Sequence, residues 1–91
     1  MKAEELRDVA DVCRMLADPT RAGIVAILAK GTKPVGALCR ELKLAQPIAS
    51  HHLALLRMSG LVDRKRKGKQ MFYTLNREML APARAFLAKL E

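Results

Sequence analysis

Two adjacent histidines, His51 and His52, follow Ser50 in the stretch SHHL and are side chains that could bind a metal or move a proton. Their spacing argues against both uses. Two histidines that hold one zinc ion from a helix lie four residues apart and need further ligands. A serine nucleophile needs a base, an orienting acid and a nucleophile motif that the sequence does not contain. We therefore predict no metal site, no cofactor and no enzymatic activity.

The two histidines should have different surroundings, because neighbouring positions on a helix point about 100° apart. A helix over residues 46–58 places His52 four residues from both Ile48 and Leu56, on or beside the side predicted to be buried. His52 is then either a structural histidine or a contact to another molecule. The opposite side carries small or polar side chains and no lysine or glutamate. That outer side comprises Pro47, Ser50, His51 and Ala54, and the buried side comprises Ile48, Leu55, Leu56 and Ser59.

A second group of chemically active residues is the stretch RKRKGK, which places five cations around one glycine. Alternating residues over 61–75 predict a β-hairpin that turns at Lys67-Gly68. A charge run can simply be solvated, and it can keep an edge strand from aggregating. Its place at the tip of a hairpin beside the 46–58 helix favours phosphate contacts. The predicted phosphate contacts are Arg64, Arg66, Lys67, Lys69, Arg57 and Lys33.

The elements that position these residues are mostly helices. Apolar residues recur at helical spacing in five segments, and the period changes to two only in the hairpin. Asp18 and Pro19 are a good N-cap and first residue for the second helix, and Gly60 ends the fourth. The predicted helices cover about residues 3–17, 19–30, 35–42, 46–58 and 77–90.

This order of elements predicts a mainly α fold with a small β-hairpin, a winged helix-turn-helix, in one domain over residues 1–91. The helix-turn-helix would occupy 34–58 and the wing 61–75. The terminal helices, in 1–17 and 77–91, carry more apolar surface than one small core needs. That surplus predicts a two-fold homodimer formed through these helices.

The composition restricts the class of partner. The 91 residues carry a formal net charge of +8, which indicates a polyanionic partner. No apolar stretch is long enough to span a bilayer, and the first residues lack a signal-peptide core, so we expect a cytoplasmic protein without membrane association. Cys13 and Cys39 are too few for a disulfide framework. Both fall on apolar helical stripes, which favours buried and unreactive thiols.

Three stretches together resemble the ArsR/SmtB family of bacterial winged-helix repressors: LADPTRAGIVAIL at 16–28, AQPIASHHLALLRMSGLV at 45–62 and RKGKQMFYTLN at 66–76. They come in the family's order and spacing and cover most of the chain. The resemblance implies a homodimer and an imperfectly palindromic operator in double-stranded DNA. It also implies that the segment from Gln46 to His52 enters the major groove, where Gln46, Ser50 and His51 are our candidates for contacts to base edges.

The chain departs from this family at its metal sites. Metal-sensing members carry a Cys-x-Cys signature early in the third helix, and here those positions are Pro34 and Gly36. Cys39 falls later in that helix. The other family site uses Asp, His and Glu on the last helix, which here contains no His or Asp. The chain therefore resembles the short members without metal sites, including the sporulation-delay repressor type.

The residues and the resemblance together predict a dimeric DNA-binding repressor, which in this family usually also acts at its own promoter. The sequence points to no particular effector. Two alternatives stay open. One is a winged-helix module that docks another protein, and the other is a repressor that senses oxidants or sulfur species through Cys13 and Cys39.

Overall fold

A computed structural model describes all 91 residues. The chain forms five α-helices, one short 3₁₀-helix and a three-stranded antiparallel sheet, which confirms the predicted winged helix-turn-helix fold. The elements are α1 (Ala3–Leu16), α2 (Pro19–Leu28), β1 (Lys33–Pro34), α3 (Val35–Leu42), α4 (Gln46–Met58), β2 (Val62–Lys67), β3 (Gln70–Leu75), the 3₁₀-helix (Arg77–Leu80) and α5 (Ala81–Lys89).

Local sequence explains where the helices begin and end. The Asp18 side chain caps α2 by accepting a hydrogen bond from the Arg21 backbone N–H at 3.0 Å. The cap of α4 is Ala45, which offers no side-chain acceptor. The turn from α3 to α4 places Lys43 in the left-handed conformation, with φ 55° and ψ 50°. Gly60 follows the end of α4 with φ 86°.

The sheet has one strand more than the sequence predicts. Its order is β1-β3-β2, and β1 pairs Lys33 with Tyr73 on the far edge of the hairpin. Two residues that end in a proline carry no alternating pattern, so this strand has no signal in the sequence. The hairpin register pairs Lys67 with Gln70, which places the turn at Gly68-Lys69, one residue later than predicted. Gly68 has φ 64°, as such a turn requires.

The predicted start of the last α-helix is wrong. Residues 77–80 form the 3₁₀-helix, and the α-helix begins only at Ala81. Pro82 explains the change, because a proline is tolerated in the first turn of an α-helix but not in its interior. The helix ends at Lys89, slightly before the predicted Leu90.

The core joins the helix-turn-helix to the wing. Each fully buried aliphatic side chain contributes about 2 kcal/mol relative to exposure, so Leu53 and Leu56 hold α4 firmly against the other elements. Tyr73 brings the wing into the same cluster. The nine buried members of the core cluster are Ile24, Val25, Leu28, Leu38, Leu53, Leu56, Leu61, Val62 and Tyr73.

The terminal helices pack on each other but leave apolar residues exposed. Val9 and Val12 form the buried face of α1. Leu87 on α5 and Leu90 just after it are 61% and 66% exposed. Four exposed residues of α1 and its C-cap form a line at helical spacing, which we call the α1 line: Leu6, Ala10, Cys13 and Ala17.

The α1 line corrects the prediction for Cys13. This thiol is exposed in the single chain, whereas the helical stripe predicted burial. The reason is that α1 turns Val12 to the interior, and the next residue along a helix points about 100° away. No helix of the structure combines the length and the apolar character needed to cross a membrane.

Candidate nucleic-acid interface

The outer face of α4 is exposed to solvent, and other residues of the same helix join the core. Ala49, Leu53 and Leu56 are buried and fix the rotation of the helix about its axis. All the predicted outer residues are accessible, and none carries a negative charge. Leu55, assigned to the buried side, is half-buried. The exposed residues that we call the outer face are Gln46, Pro47, Ser50, His51 and Ala54.

Ile48 does not lie where the helical wheel predicted. Its side chain is 50% exposed, and Ala49 is buried in its place. The helical wheel predicted that Ile48 is buried because isoleucine is strongly apolar. The structure instead turns the smaller Ala49, at the next position, toward the core. Ile48 therefore lies on the flank of α4, between the outer face and the core.

The two histidines have different surroundings, as predicted. His51 is exposed, whereas the side chain of His52 is only 15% exposed. Their rings meet edge to face with centroids 5.3 Å apart. His52 Nδ1 lies 3.4 Å from Nη1 of Arg21 and 3.9 Å from Oδ2 of Asp18. The ring thus connects α4 to the beginning of α2.

Arg21 is an organising residue that the sequence did not reveal. Its Nε donates to the Met15 carbonyl at 2.8 Å, and its Nη2 donates to the Arg14 carbonyl at 3.5 Å. One guanidinium therefore joins the end of α1, the start of α2 and the middle of α4. The stretch DPTR gives no sign of this, because the partners of the side chain lie elsewhere in the sequence.

Asp18 is the one residue whose pKa in the folded chain clearly departs from its ordinary value. The hydrogen bond from the Arg21 backbone N–H holds the pKa of Asp18 below its ordinary value. Partial desolvation opposes this effect, and the nearby charges of His52 and Arg21 add to the lowering. The carboxylate stays ionised, so it caps α2 as an anion at neutral pH.

The cations of the wing divide between two faces of the sheet. Arg64 lies opposite Tyr73 and Arg66 opposite Met71, so both project from the face that continues the core. Lys65 and Lys67 project from the other face. None of these side chains forms a salt bridge, so their charges are free to meet an external anion. The exposed cations of the wing are Arg64, Lys65, Arg66, Lys67 and Lys69.

The other predicted site residues are dispersed. Arg57 is exposed at the end of α4, next to the outer face, and Lys33 is half-buried in β1. Cys13 and Cys39 are free thiols on different helices, the first exposed and the second half-buried. No group of three or more His, Cys, Asp or Glu side chains is placed to hold a metal ion.

Comparisons with known proteins bear on the family of the chain. Residues 18–64 match the family described as bacterial regulatory protein, arsR family. The chain is 39% identical over 74 residues to the biofilm growth-associated repressor of Agrobacterium fabrum, a match that covers 81% of this chain and 63% of that protein. It is 31% identical over 70 residues to the transcriptional repressor SdpR of Bacillus subtilis, covering 77% and 78% of the two chains.

A solved structure has the same fold. It is the homodimeric winged helix-turn-helix DNA-binding domain of Mb0332 from Mycobacterium bovis, described as a possible ArsR-family transcriptional regulator. The two chains superpose with a TM-score of 0.76 at 30% identity, covering 97% of this chain and 80% of that one. The present chain spans less than two thirds of the length of the Agrobacterium relative. The family match, the identities and the shared fold together establish that the chain belongs to the arsR family of bacterial regulatory proteins.

Proposed function

We propose that this chain is a transcriptional repressor that binds an operator in double-stranded DNA as a homodimer. The observation that carries the proposal is the pairing of two surfaces. The outer face of α4 is free of acidic residues and has short side chains, and the cations of the neighbouring wing are unpaired within the chain. A helix that enters the major groove and a basic hairpin that follows the flanking backbone need these two properties.

The outer face supplies the groups that read bases. Gln46 can bond the edge of adenine through both atoms of its amide, and the hydroxyl of Ser50 can donate or accept. His51 adds a third polar group, while Pro47 and Ala54 permit a close approach. We assign sequence-specific readout to Gln46, Ser50 and His51.

The exposed cations supply affinity that does not depend on the base sequence of the DNA. Phosphate contacts release counterions, which makes binding fall steeply with salt. We assign this part of binding to Arg57 at the end of α4 and to the wing. Lys33 is a weaker candidate because β1 half-buries it. The wing residues assigned to phosphates are Arg64, Arg66, Lys67 and Lys69.

A homodimer would cover the exposed apolar residues of the terminal helices. The α1 line forms one apolar strip, and Leu87 on α5 with Leu90 at its C-cap forms another, on two helices that already pack together. The similar domain from Mycobacterium bovis is described as homodimeric. Two-fold symmetry would place the two α4 helices in successive major grooves, about 34 Å apart, on an imperfect palindrome.

Selection of DNA from random fragments by the purified protein tests this function. We expect enrichment of an imperfect palindrome, a dimer in sedimentation, and an affinity for the enriched DNA that falls with salt. A monomer that enriches no sequence would contradict the proposal. That outcome would favour the alternative of a winged-helix module that docks another protein.

Sensing through thiols stays a prediction. Cys13 is accessible in the single chain, but the α1 line would be covered in the proposed dimer. Mass spectrometry after mild peroxide or persulfide treatment would measure any modification of Cys13 and Cys39. An unchanged thiol count together with undiminished DNA binding would exclude this role.

A further inference from the structure

The ring of His52 is held at one nitrogen and open at the other. A guanidinium has only donors, so in the tautomer that completes this contact Nδ1 accepts from Arg21. In that tautomer the N–H of the ring is on Nε2. The ring–carboxylate contact to Asp18 is also made on the Nδ1 side, at 3.9 Å. Because Arg21 and Asp18 occupy the Nδ1 side of the ring, Nε2 is the nitrogen left to meet another molecule.

The Nε2 atom reaches the surface without a partner. It makes no hydrogen bond within the chain, and the structure contains no buried side-chain nitrogen or oxygen that lacks a partner. An unpartnered Nε2 must therefore be accessible to solvent. The result is a hydrogen-bond donor of defined direction on a side chain that is otherwise 85% covered, since its exposed fraction is 15%.

The position of His52 on α4 indicates what this donor meets. The outer face, which would lie over the bases, comprises exposed residues of α4, whereas Leu53 and Leu56 are buried in the core. His52 lies on the same flank as Ile48, one turn away, where α4 meets the beginning of α2. When a helix lies in the major groove, its outermost face meets base edges and its flanks meet the sugar-phosphate walls.

We propose that Nε2–H of His52 donates to a phosphate oxygen of the operator and that Arg21 is the residue that positions the ring for this contact. The proposal rests on the DNA-binding function proposed above and assigns an atom, a target group and a supporting side chain within it. His52 contacts the DNA, and Arg21 affects DNA binding by positioning His52.

Arg21 is suited to this role because several hydrogen bonds hold it in place. Two of its nitrogens donate to carbonyl oxygens at the end of α1, and its backbone N–H donates to Asp18. The remaining nitrogen, Nη1, faces His52. The negative charge near the site, on Asp18, lies on the Nδ1 side of the ring, which leaves the Nε2 side for an anion.

Two substitutions at His52 separate the nitrogens. In His52→Gln the amide nitrogen reaches about as far as Nε2, so a donor to DNA is kept. In His52→Asn the shorter amide can still accept from Arg21 but does not reach the position of Nε2. We expect His52→Asn to keep the melting temperature and to lose about tenfold or more in operator affinity. We expect His52→Gln to keep operator affinity within about threefold, whatever its melting temperature.

The target group is tested on the DNA. Each phosphate of a half-site is replaced in turn by a neutral methylphosphonate. At one phosphate beside the flank of α4, the replacement should weaken binding by the wild type. At the same phosphate it should not weaken binding by His52→Asn any further. In the same way, Arg21→Ala should weaken operator binding in the wild type but not in the His52→Asn background.

The outcomes distinguish this inference from the function on which it rests. If the wild type selects no DNA, the proposed function fails. If the wild type binds its operator and His52→Asn binds equally well, the ring is structural and the inference is overturned. The inference is also overturned if His52→Asn loses operator affinity but the affected DNA group is a base edge instead of a phosphate. A third contrary outcome is that Arg21→Ala weakens operator binding as much in the His52→Asn background as in the wild type.

Discussion

The outer face of α4 and the wing predict different consequences for single side chains. A group that reads a base edge changes the difference between specific and nonspecific binding, whereas a cation that meets phosphate changes both together. Ser50 and His51 belong to the first class in our proposal and Lys67 to the second. The distinction can be measured because the two kinds of binding respond differently to salt.

We expect Ser50→Ala and His51→Ala each to weaken operator binding by about 1–3 kcal/mol and to leave nonspecific binding nearly unchanged. Lys67→Ala should weaken both about equally and reduce the salt slope by about one, because one phosphate contact is lost. Titrations at several salt concentrations, on operator and on unrelated DNA, would measure this. Lys89→Ala, which removes a cation from α5 outside the proposed surface, is the control. Equal losses in all three variants would contradict the division.

For single residues, the sequence predicted the side of a helix on which a residue lies better than it predicted the residues that its side chain contacts. The helical wheel separated His51 from His52, because that distinction depends only on the angle between neighbouring residues. It misplaced Ile48 and Cys13, because the rotation of a helix is set by the elements packed on it. Arg21 gave no signal, since it contacts residues six and thirty-one positions away in the chain.

Among the elements, α2 depends on an ionised cap. The pKa of Asp18 is lowered in the folded chain, so the carboxylate stabilises the fold when it is ionised. That stabilisation is complete above the ordinary pKa of an aspartate, near 3.9, and is lost as the pH falls through the lower value of the folded state.

Asp18→Asn keeps an oxygen that can cap α2 and removes only the charge. We expect the variant to melt at a lower temperature than the wild type at neutral pH. The difference should hold down to about pH 5 and vanish as the wild-type carboxyl becomes protonated at lower pH. Thermal melting followed by circular dichroism over this range measures it. A difference that grows on acidification would contradict the assignment.

The wing and the end of α4 depend on two glycines in the left-handed conformation. Gly68 has no neighbour within contact distance of an added Cβ, whereas Gly60 would place one 3.3 Å from Cε of Met79. Gly68→Ala should therefore cost only the backbone strain, about 1 kcal/mol, and Gly60→Ala should cost more. Urea denaturation measures both.

Gly36→Ala is the control for this comparison, because Gly36 lies within α3 at a negative φ. Alanine there should be neutral or stabilising. If Gly60→Ala proves no worse than Gly68→Ala, Met79 moves aside freely and the contact has no cost.

For the elements as a whole, the helices and the hairpin could be predicted because their apolar periods are strong. The strand β1 could not, since its existence depends on pairing with β3, forty residues away. The division of the last segment into a 3₁₀-helix and α5 was available in Pro82, whose position in a first turn excludes an α-helix that begins several residues earlier.

The protein is predicted to act as a homodimer. Leu87→Glu places a charge on a side chain that is 61% exposed in the single chain, so its fold should survive. In the proposed dimer the same charge would be buried without a partner, which would separate the subunits. We expect a monomer in sedimentation and a loss of operator affinity of more than about tenfold, because one subunit contacts only one half-site.

Lys89→Glu, on the same helix, is the matched control and should leave the dimer intact. A Leu87→Glu protein that still sediments as a dimer would place the interface elsewhere. The apolar surplus of the terminal helices was visible in the sequence. The packing of α1 on α5 within one chain, which leaves only part of that surplus exposed, required the structure.

The exposure of Cys13 on the α1 line has a kinetic consequence. A thiol that is open in the single chain and covered in the dimer can be alkylated only while the subunits are apart. With reagent in excess, the labelling rate of Cys13 would equal the rate of subunit dissociation and become independent of reagent concentration. The half-buried Cys39 would supply an internal reference within the same molecule. In the proposed dimer, the labelling rate of Cys13 would therefore measure subunit exchange, which operator DNA should slow by holding the two copies together.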